Sequence, residues 1–257
     1  MARSTPAPRL REFRASIGWP ARAERALRPL LTGLAAFAGL MAGASAASAQ
    51  VAANITVSTN QLFRGETISD DDPGITLAVS ADLPHGLFAG ADASFAAGSE
   101  SPRLTVSNQY AGVAFGLGGS ASLELGAIHR EYGQLYDDAY RRRYTELYAG
   151  VNLRRAHLRA YVSPDYLVDG RTTYYLELNA RLATIREWNL EAHGGLSLIP
   201  HDLSDPDTSL ISYEDWSLRA SRTIGPFTFG MGLAATNYPV FGPTGRLRFS
   251  AQISRAF

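Results

Sequence analysis

The chain lacks two residue types altogether, cysteine and lysine. Without cysteine there is no disulfide framework, no thiolate metal site and no cysteine nucleophile. The basic residues are therefore all arginine, 24 of them against 24 Asp and Glu, and a formal net charge of zero argues against a nucleic-acid-binding protein. Long apolar runs are also missing: beyond residue 49 nothing approaches the roughly 20 residues of a membrane-spanning helix. A mean hydropathy of −0.09 agrees with that exclusion. The chain is nonetheless 46% hydrophobic, too apolar for a disordered protein, and its 257 residues suit one large domain or two small ones.

The charges are unevenly placed. Residues 1–29 hold seven arginines against Glu12 and Glu24. An apolar run follows from Leu30 to Met41, then small residues ending in Ala47-Ser48-Ala49. A basic start, a short apolar stretch and an A-x-A site describe a signal peptide over residues 1–49. No paired arginines precede the apolar run, which favours the general secretory route over the twin-arginine one. Cleavage after Ala49 removes seven basic and two acidic residues, leaving 17 against 22 over residues 50–257. An exported protein without disulfides must be held together by something else.

The remaining sequence alternates with period two. Ile75, Leu77, Val79, Ala81 and Leu83 fall on one face, Thr76, Ser80 and Asp82 on the other. The same pattern runs through 147–153, 174–182, 227–233 and 249–253. A strand collects such residues on one face, whereas a helix scatters them. The pattern predicts twelve strands, at 51–63, 74–83, 87–96, 104–116, 121–131, 142–153, 157–166, 171–182, 188–198, 210–223, 227–236 and 245–257. A parity change near Asn108 to Tyr110 predicts a bulge. Short turns (84–86, 117–120, 154–156, 183–187, 224–226) alternate with longer polar connections. That asymmetry points to an all-β fold, an antiparallel transmembrane β-barrel of the outer membrane, with both termini on the short-turn, periplasmic side. Ring closure would replace disulfides by pairing every backbone group. Tyr132, Tyr144, Tyr166, Tyr174, Tyr213 and Tyr238 are expected as an outer aromatic girdle, with Phe115, Trp188, Phe227 and Phe257 on the periplasmic side. The strand ending in Phe257 resembles the signal read by the barrel-assembly machinery, although Arg255 interrupts its apolar face.

Specific residues carry a family resemblance. Phe63-Arg64-Gly65, Ser69-Asp70 and Pro73, followed by His85-Gly86-Leu87-Phe88 and Gly90, resemble the opening of the TorF-type porin-like family of proteobacteria. Tyr144-x-Glu146-x-Tyr148-x-Gly150 is similar to that family's mid-barrel strand. The resemblance implies an outer-membrane barrel acting as a pore, and no catalytic constellation.

If the apolar face meets lipid, the opposite face lines the lumen. Glu124, Glu146, Arg159, Glu177, Arg181, Glu191, His193, Arg219, Arg246 and Arg248 are the expected lining residues. They form either opposed charged walls around water, selecting solutes by charge, or a paired network filling the lumen. The later arginines would make one wall basic, with Glu124 and Glu146 on the other. Arg64, Asp70, Asp71 and Asp72 belong to a mouth loop. It either folds inward, with Arg64 meeting solutes or tying down the acids, or is an ordinary solvated charge run, which is the commoner role. The Asp run lacks the spacing of an EF-hand loop, and neither metal nor cofactor is expected.

The expected function is passive diffusion of small hydrophilic solutes, with outer-membrane lipid and lipopolysaccharide as surroundings. The alternatives are a closed structural or adhesive barrel and, less favoured, a barrel hydrolase using His201 with Asp202, Asp205 and Asp207. No G-x-S-x-G or H-E-x-x-H motif accompanies those residues, so an enzyme is not expected.

Overall fold

A computed structural model describes residues 50–97, 102–133, 143–166, 172–199, 211–237 and 245–257. The expected signal peptide, Tyr238 and the His201 group lie outside the described residues.

Twelve strands close into one antiparallel barrel. They are β1 (Gln50–Ser58), β4 (Gly74–Asp82), β5 (Leu87–Ala96), β6 (Arg103–Gly118), β7 (Ala121–Tyr132), β8 (Arg143–Asn152), β9 (Ala156–Ser163), β10 (Thr173–Ile185), β11 (Trp188–Ile199), β12 (Ile211–Ile224), β13 (Phe227–Thr236) and β14 (Arg248–Ala256). Two further strands, β2 (Leu62–Phe63) and β3 (Glu66–Thr67), pair only with each other. Each barrel strand pairs with its neighbours along the chain, and closure is made by β14 on β1, with Asn54 opposite Ala256 and Ser58 opposite Gln252. The short turns and both ends of the barrel chain share one rim, as the alternation of connection lengths implies.

Side-chain parity explains the two faces. Along β8 the consecutive residues Glu146 and Leu147 are 2% and 57% exposed. Glu146 points into the barrel and Leu147 out of it. The outward set continues around the wall with Leu176, Leu218, Met231 and Phe249, all exposed. An apolar outer belt on a barrel with every strand paired is the arrangement that hydrocarbon demands, because lipid satisfies no backbone N–H or C=O.

Three sequence expectations change. The first strand ends at Ser58, not at residue 63, because Thr59 still bonds to Ala251 O (2.9 Å) but the chain then leaves the wall. Residues 62–67 instead form the β2–β3 hairpin inside the barrel. The bulge expected at Asn108 to Tyr110 lies at Thr105, where β6 carries one residue more than β5 between the Phe95 and Ser94 pairings. Pairing through Asn108 and Tyr110 is regular; the parity change arises because Val106 is an apolar residue facing inward. Finally, Tyr132, Tyr144 and Tyr166 are no girdle. They are buried with Val106 and Ile199 in an internal cluster against which Phe63, Ile68, Ile211 and Tyr213 pack. Tyr174 is exposed on the outer face, as are Phe115, Phe227 and Phe257 near the periplasmic rim.

Some contacts inside the wall depend on a missing side chain. Glu124 on β7 and Arg159 on β9 form an ion pair across the whole width of β8. The inward residue between them is Gly150, and a Cβ there would stand 2.7 Å from Arg159 Cγ and 3.1 Å from Glu124 Oε1. Overpacking of this kind costs about 1–3 kcal/mol. Gly150→Val is therefore expected to lower the urea midpoint of the refolded barrel, whereas Gly194→Val, with open space at its Cβ, leaves it unchanged. Equal midpoints for the two variants would contradict this reading of the wall.

Candidate functional site

The lumen is the natural place for chemistry in a barrel, and its outer half is crossed by residues 59–73. At the tip of the β2–β3 hairpin, Arg64 and Gly65 both have positive φ (46° and 77°), the two-residue turn that suits strand twist. Glycine takes this conformation freely, and a Cβ on Gly65 would also meet Ala235 O at 2.5 Å. Arginine in the same region costs roughly 1–2 kcal/mol. Its contacts supply the reason that an arginine stands there.

The Arg64 guanidinium is buried between walls. Nη2 donates to Glu146 Oε1 at 2.8 Å, with side-chain exposures of 8% and 2%. Its Cζ lies 3.7 Å from the Tyr175 ring centroid and 5.1 Å from that of Tyr166. Arg130 packs on Phe63, the preceding residue, with Cζ 4.0 Å from the ring centroid. A buried ion pair sustains itself only when the geometry and surrounding bonds offset desolvation, and removing one partner costs about 3–5 kcal/mol. The cation–π contacts add roughly 2 kcal/mol at a desolvated site.

Two more arginines hold the base of the loop. Arg248 on β14 reaches Glu66 Oε2 at 3.0 Å and Asp71 Oδ1 at 3.4 Å. Arg103 on β6 donates to Ser69 O (2.6 Å) and pairs with Asp70 (2.9 Å) and Asp72 (3.4 Å). Inside the loop, Asn60 receives the hydroxyl of Thr67 (2.7 Å) and donates to Asp71 (2.6 Å). Gln61 accepts from Thr105 Oγ1 at 2.9 Å. The segment is thus a strut anchored on β6, β8, β10 and β14. Glu66 sits on this strut and not on a membrane strand; burial pushes its carboxyl from 4.5 up to about 7, against the opposing pull of Arg248.

The remaining expected residues divide by depth. Beneath the hairpin a cavity of about 650 Å³ extends to the Arg154-Arg155 turn, and Glu177, Arg181, Glu191, His193 and Arg219 line it. Glu124 and Arg159 pair in the wall, with Arg159 also 3.9 Å from Glu177. His193 Nε2 meets Asp215 Oδ1 at 2.7 Å, and the Tyr175 hydroxyl donates to Asp215 Oδ2 at 3.1 Å. Arg246 lines a separate cavity of about 510 Å³ at the mouth beside Asp71 and Arg248. Arg248 is buried and held by the hairpin's acids. The solvated reading of the mouth loop is overturned for Arg64, which is buried, while Asp70 and Asp72 stay largely exposed at 62% and 45%.

Sequence reasoning did not single out Arg103, Arg130, Tyr175 or Asp215. The usable signal was parity: Tyr144, Glu146 and Tyr148 alternate with Thr145 and Leu147, so two tyrosines share the inward face with Glu146.

The barrel's architecture recurs in solved structures. The NanC porin matches over 80% of this chain and 98% of its own, at 8% identity and a TM-score of 0.50. The KdgM porin covers 80% and 99% at 10% identity and 0.48. The COG4313 outer membrane channel from Pseudomonas putida F1 covers 83% and 97% at 12% and 0.48. No curated protein sequence matches the chain. A sequence profile described as a bacterial protein of unknown function (Gcw_chp) matches residues 42–253. A closed barrel with an apolar belt in a bacterial protein is an outer-membrane protein. By the extent of that match, the chain belongs to the bacterial Gcw_chp family.

Proposed function

We propose that this protein is a porin-like channel for passive diffusion of small hydrophilic solutes, constricted by the hairpin that crosses its outer half. The observation that carries the reading is the cavity of about 650 Å³ beneath the hairpin, into whose lining Glu177, Arg181, Glu191 and Arg219 bring charge. A barrel with a purely structural role has no need of so large a space lined in part by charges, and a filled lumen would be the more stable choice. The TorF-type resemblance supports the same reading, because its two motif segments meet in the lumen as Arg64 and Glu146. In this reading residues 1–49 direct export. The strand ending in Phe257 meets the assembly machinery, and the exposed loop acids face lipopolysaccharide. The hairpin sets the size limit, since it is the part of the lumen that does not belong to the wall.

Two tests follow from the strut. Glu146→Gln leaves Arg64 charged and buried without its partner. That variant is expected to weaken docking by about 3–5 kcal/mol and to expose the Arg64–Gly65 bond to trypsin, with larger single-channel conductance in planar bilayers. Wild-type protein that never opens in such bilayers, together with an unopened Glu146→Gln, would sink the channel reading.

The second test is pH. Docking raises the Glu66 pKa from 4.5 to about 7, so the docked hairpin binds the proton more tightly than the released one. This contribution to docking is complete below 4.5 and is lost as pH rises through about 7. Conductance is expected to rise between pH 5 and pH 8, and Glu66→Gln is expected to flatten the profile. A Glu66→Gln profile as steep as wild type would assign the titration elsewhere.

A further inference from the structure

We infer that the periplasmic half of the lumen is an oxyanion-binding vestibule, with Arg181 and Arg219 as its principal cations. The inference deepens the channel reading by naming a solute class, and it rests on that reading for passage but not for binding.

The lumen's arginines differ in their partners. Arg64, Arg103, Arg159, Arg222 and Arg248 each have a carboxylate partner at hydrogen-bond distance. Among the described residues, no carboxylate stands at hydrogen-bond distance from the arginines of the lower cavity. Arg219 donates to the neutral Gln252 Oε1 at 3.1 Å, and no carboxylate among the described residues lies within ion-pair distance of it. Arg181 reaches Glu191 only at 3.9 Å and is half exposed. Glu191 is the cross-strand neighbour of both, opposite Arg181 on β10 and Arg219 on β12. One acid is thus shared between two cations. Arg154 and Arg155 add two more at the cavity's lower edge. The other acid of the cavity, Glu177, already accepts from Tyr161 at 3.0 Å.

Two successive inward positions of β13 that lack side chains make the arrangement possible. Gly230 and Gly232 carry no side chains between β12 and β14, and a Cβ on Gly230 would stand 3.1 Å from Gln252 Cγ. Arg219 therefore lies across β13 to an amide. A guanidinium held by an amide keeps its full charge and spare N–H donors, which suit the planar oxygens of a carboxylate or the tetrahedral oxygens of a phosphate. In a cavity walled by low-dielectric protein, such unneutralised charges concentrate anions.

The test uses inorganic phosphate as the probe and refolded protein in micelles, so that binding is read without conduction. Wild type is expected to broaden the ³¹P resonance. Arg181→Gln with Arg219→Gln is expected to weaken phosphate binding about tenfold, the equivalent of one charge-assisted hydrogen bond. Arg222→Gln, whose side chain pairs with Glu187 at the rim, is expected to leave it unchanged. Electrophoretic heat modifiability of each variant confirms folding. A folded wild type that does not broaden the line, or a folded double variant that broadens it equally, overturns the vestibule. Single-channel recordings in planar bilayers separate the two readings. A barrel that conducts without binding phosphate keeps the channel and loses the site. One that binds phosphate but never conducts keeps the site and loses the channel.

Discussion

The ion pair between Arg64 and Glu146 is the contact on which the lumen's arrangement depends. It joins a loop residue to a strand residue across the barrel, and it is buried at both ends. Removing water from two charges is unfavourable, so the pair persists only because the surroundings complete it. Tyr175 and Tyr166 face the guanidinium, and Phe63 lies between Arg64 and Arg130. The left-handed backbone at Arg64 is the local cost of aiming that side chain at Glu146.

From this contact the division of the barrel follows. Above the pair, tyrosines and apolar residues form a buried cluster. Below it lies the cavity lined by Glu177, Arg181, Glu191 and Arg219. The wall supports both states because its inward face mixes long side chains with glycines. Where a glycine stands, side chains from the flanking strands meet over it, as Glu124 and Arg159 do over Gly150. Charges that pair in this way hold the wall's shape. Ring closure supplies the stability that disulfides supply elsewhere.

The wall was legible in the sequence because period-two alternation is a local property. Leu147 and Glu146 announce their opposite faces by adjacency alone. The hairpin was not legible in the same way. Thr59 and Gln61 are polar where Ile55 and Val57 are apolar, so the alternation fades there, but nothing local shows that the chain turns inward: Glu146, Tyr175 and Arg248, which hold it, all lie more than eighty residues away. The tyrosines misled for a related reason. An aromatic near a strand end suits a girdle or a lumen plug equally, and parity at Tyr144 favoured the plug only once the loop's destination was known. Arg248 was legible as an inward residue. That it anchors Glu66 and Asp71 depends on that same long-range insertion.

The central claim is that the hairpin occludes the outer half of the lumen and leaves the periplasmic half open. Access of neutral polyethylene glycols of graded mass, added to one side of a bilayer-inserted channel at a time, measures this directly. The account predicts asymmetry: polymers that enter from the periplasmic side and alter the current fail to do so from the outer side. Equal access from both sides would contradict it.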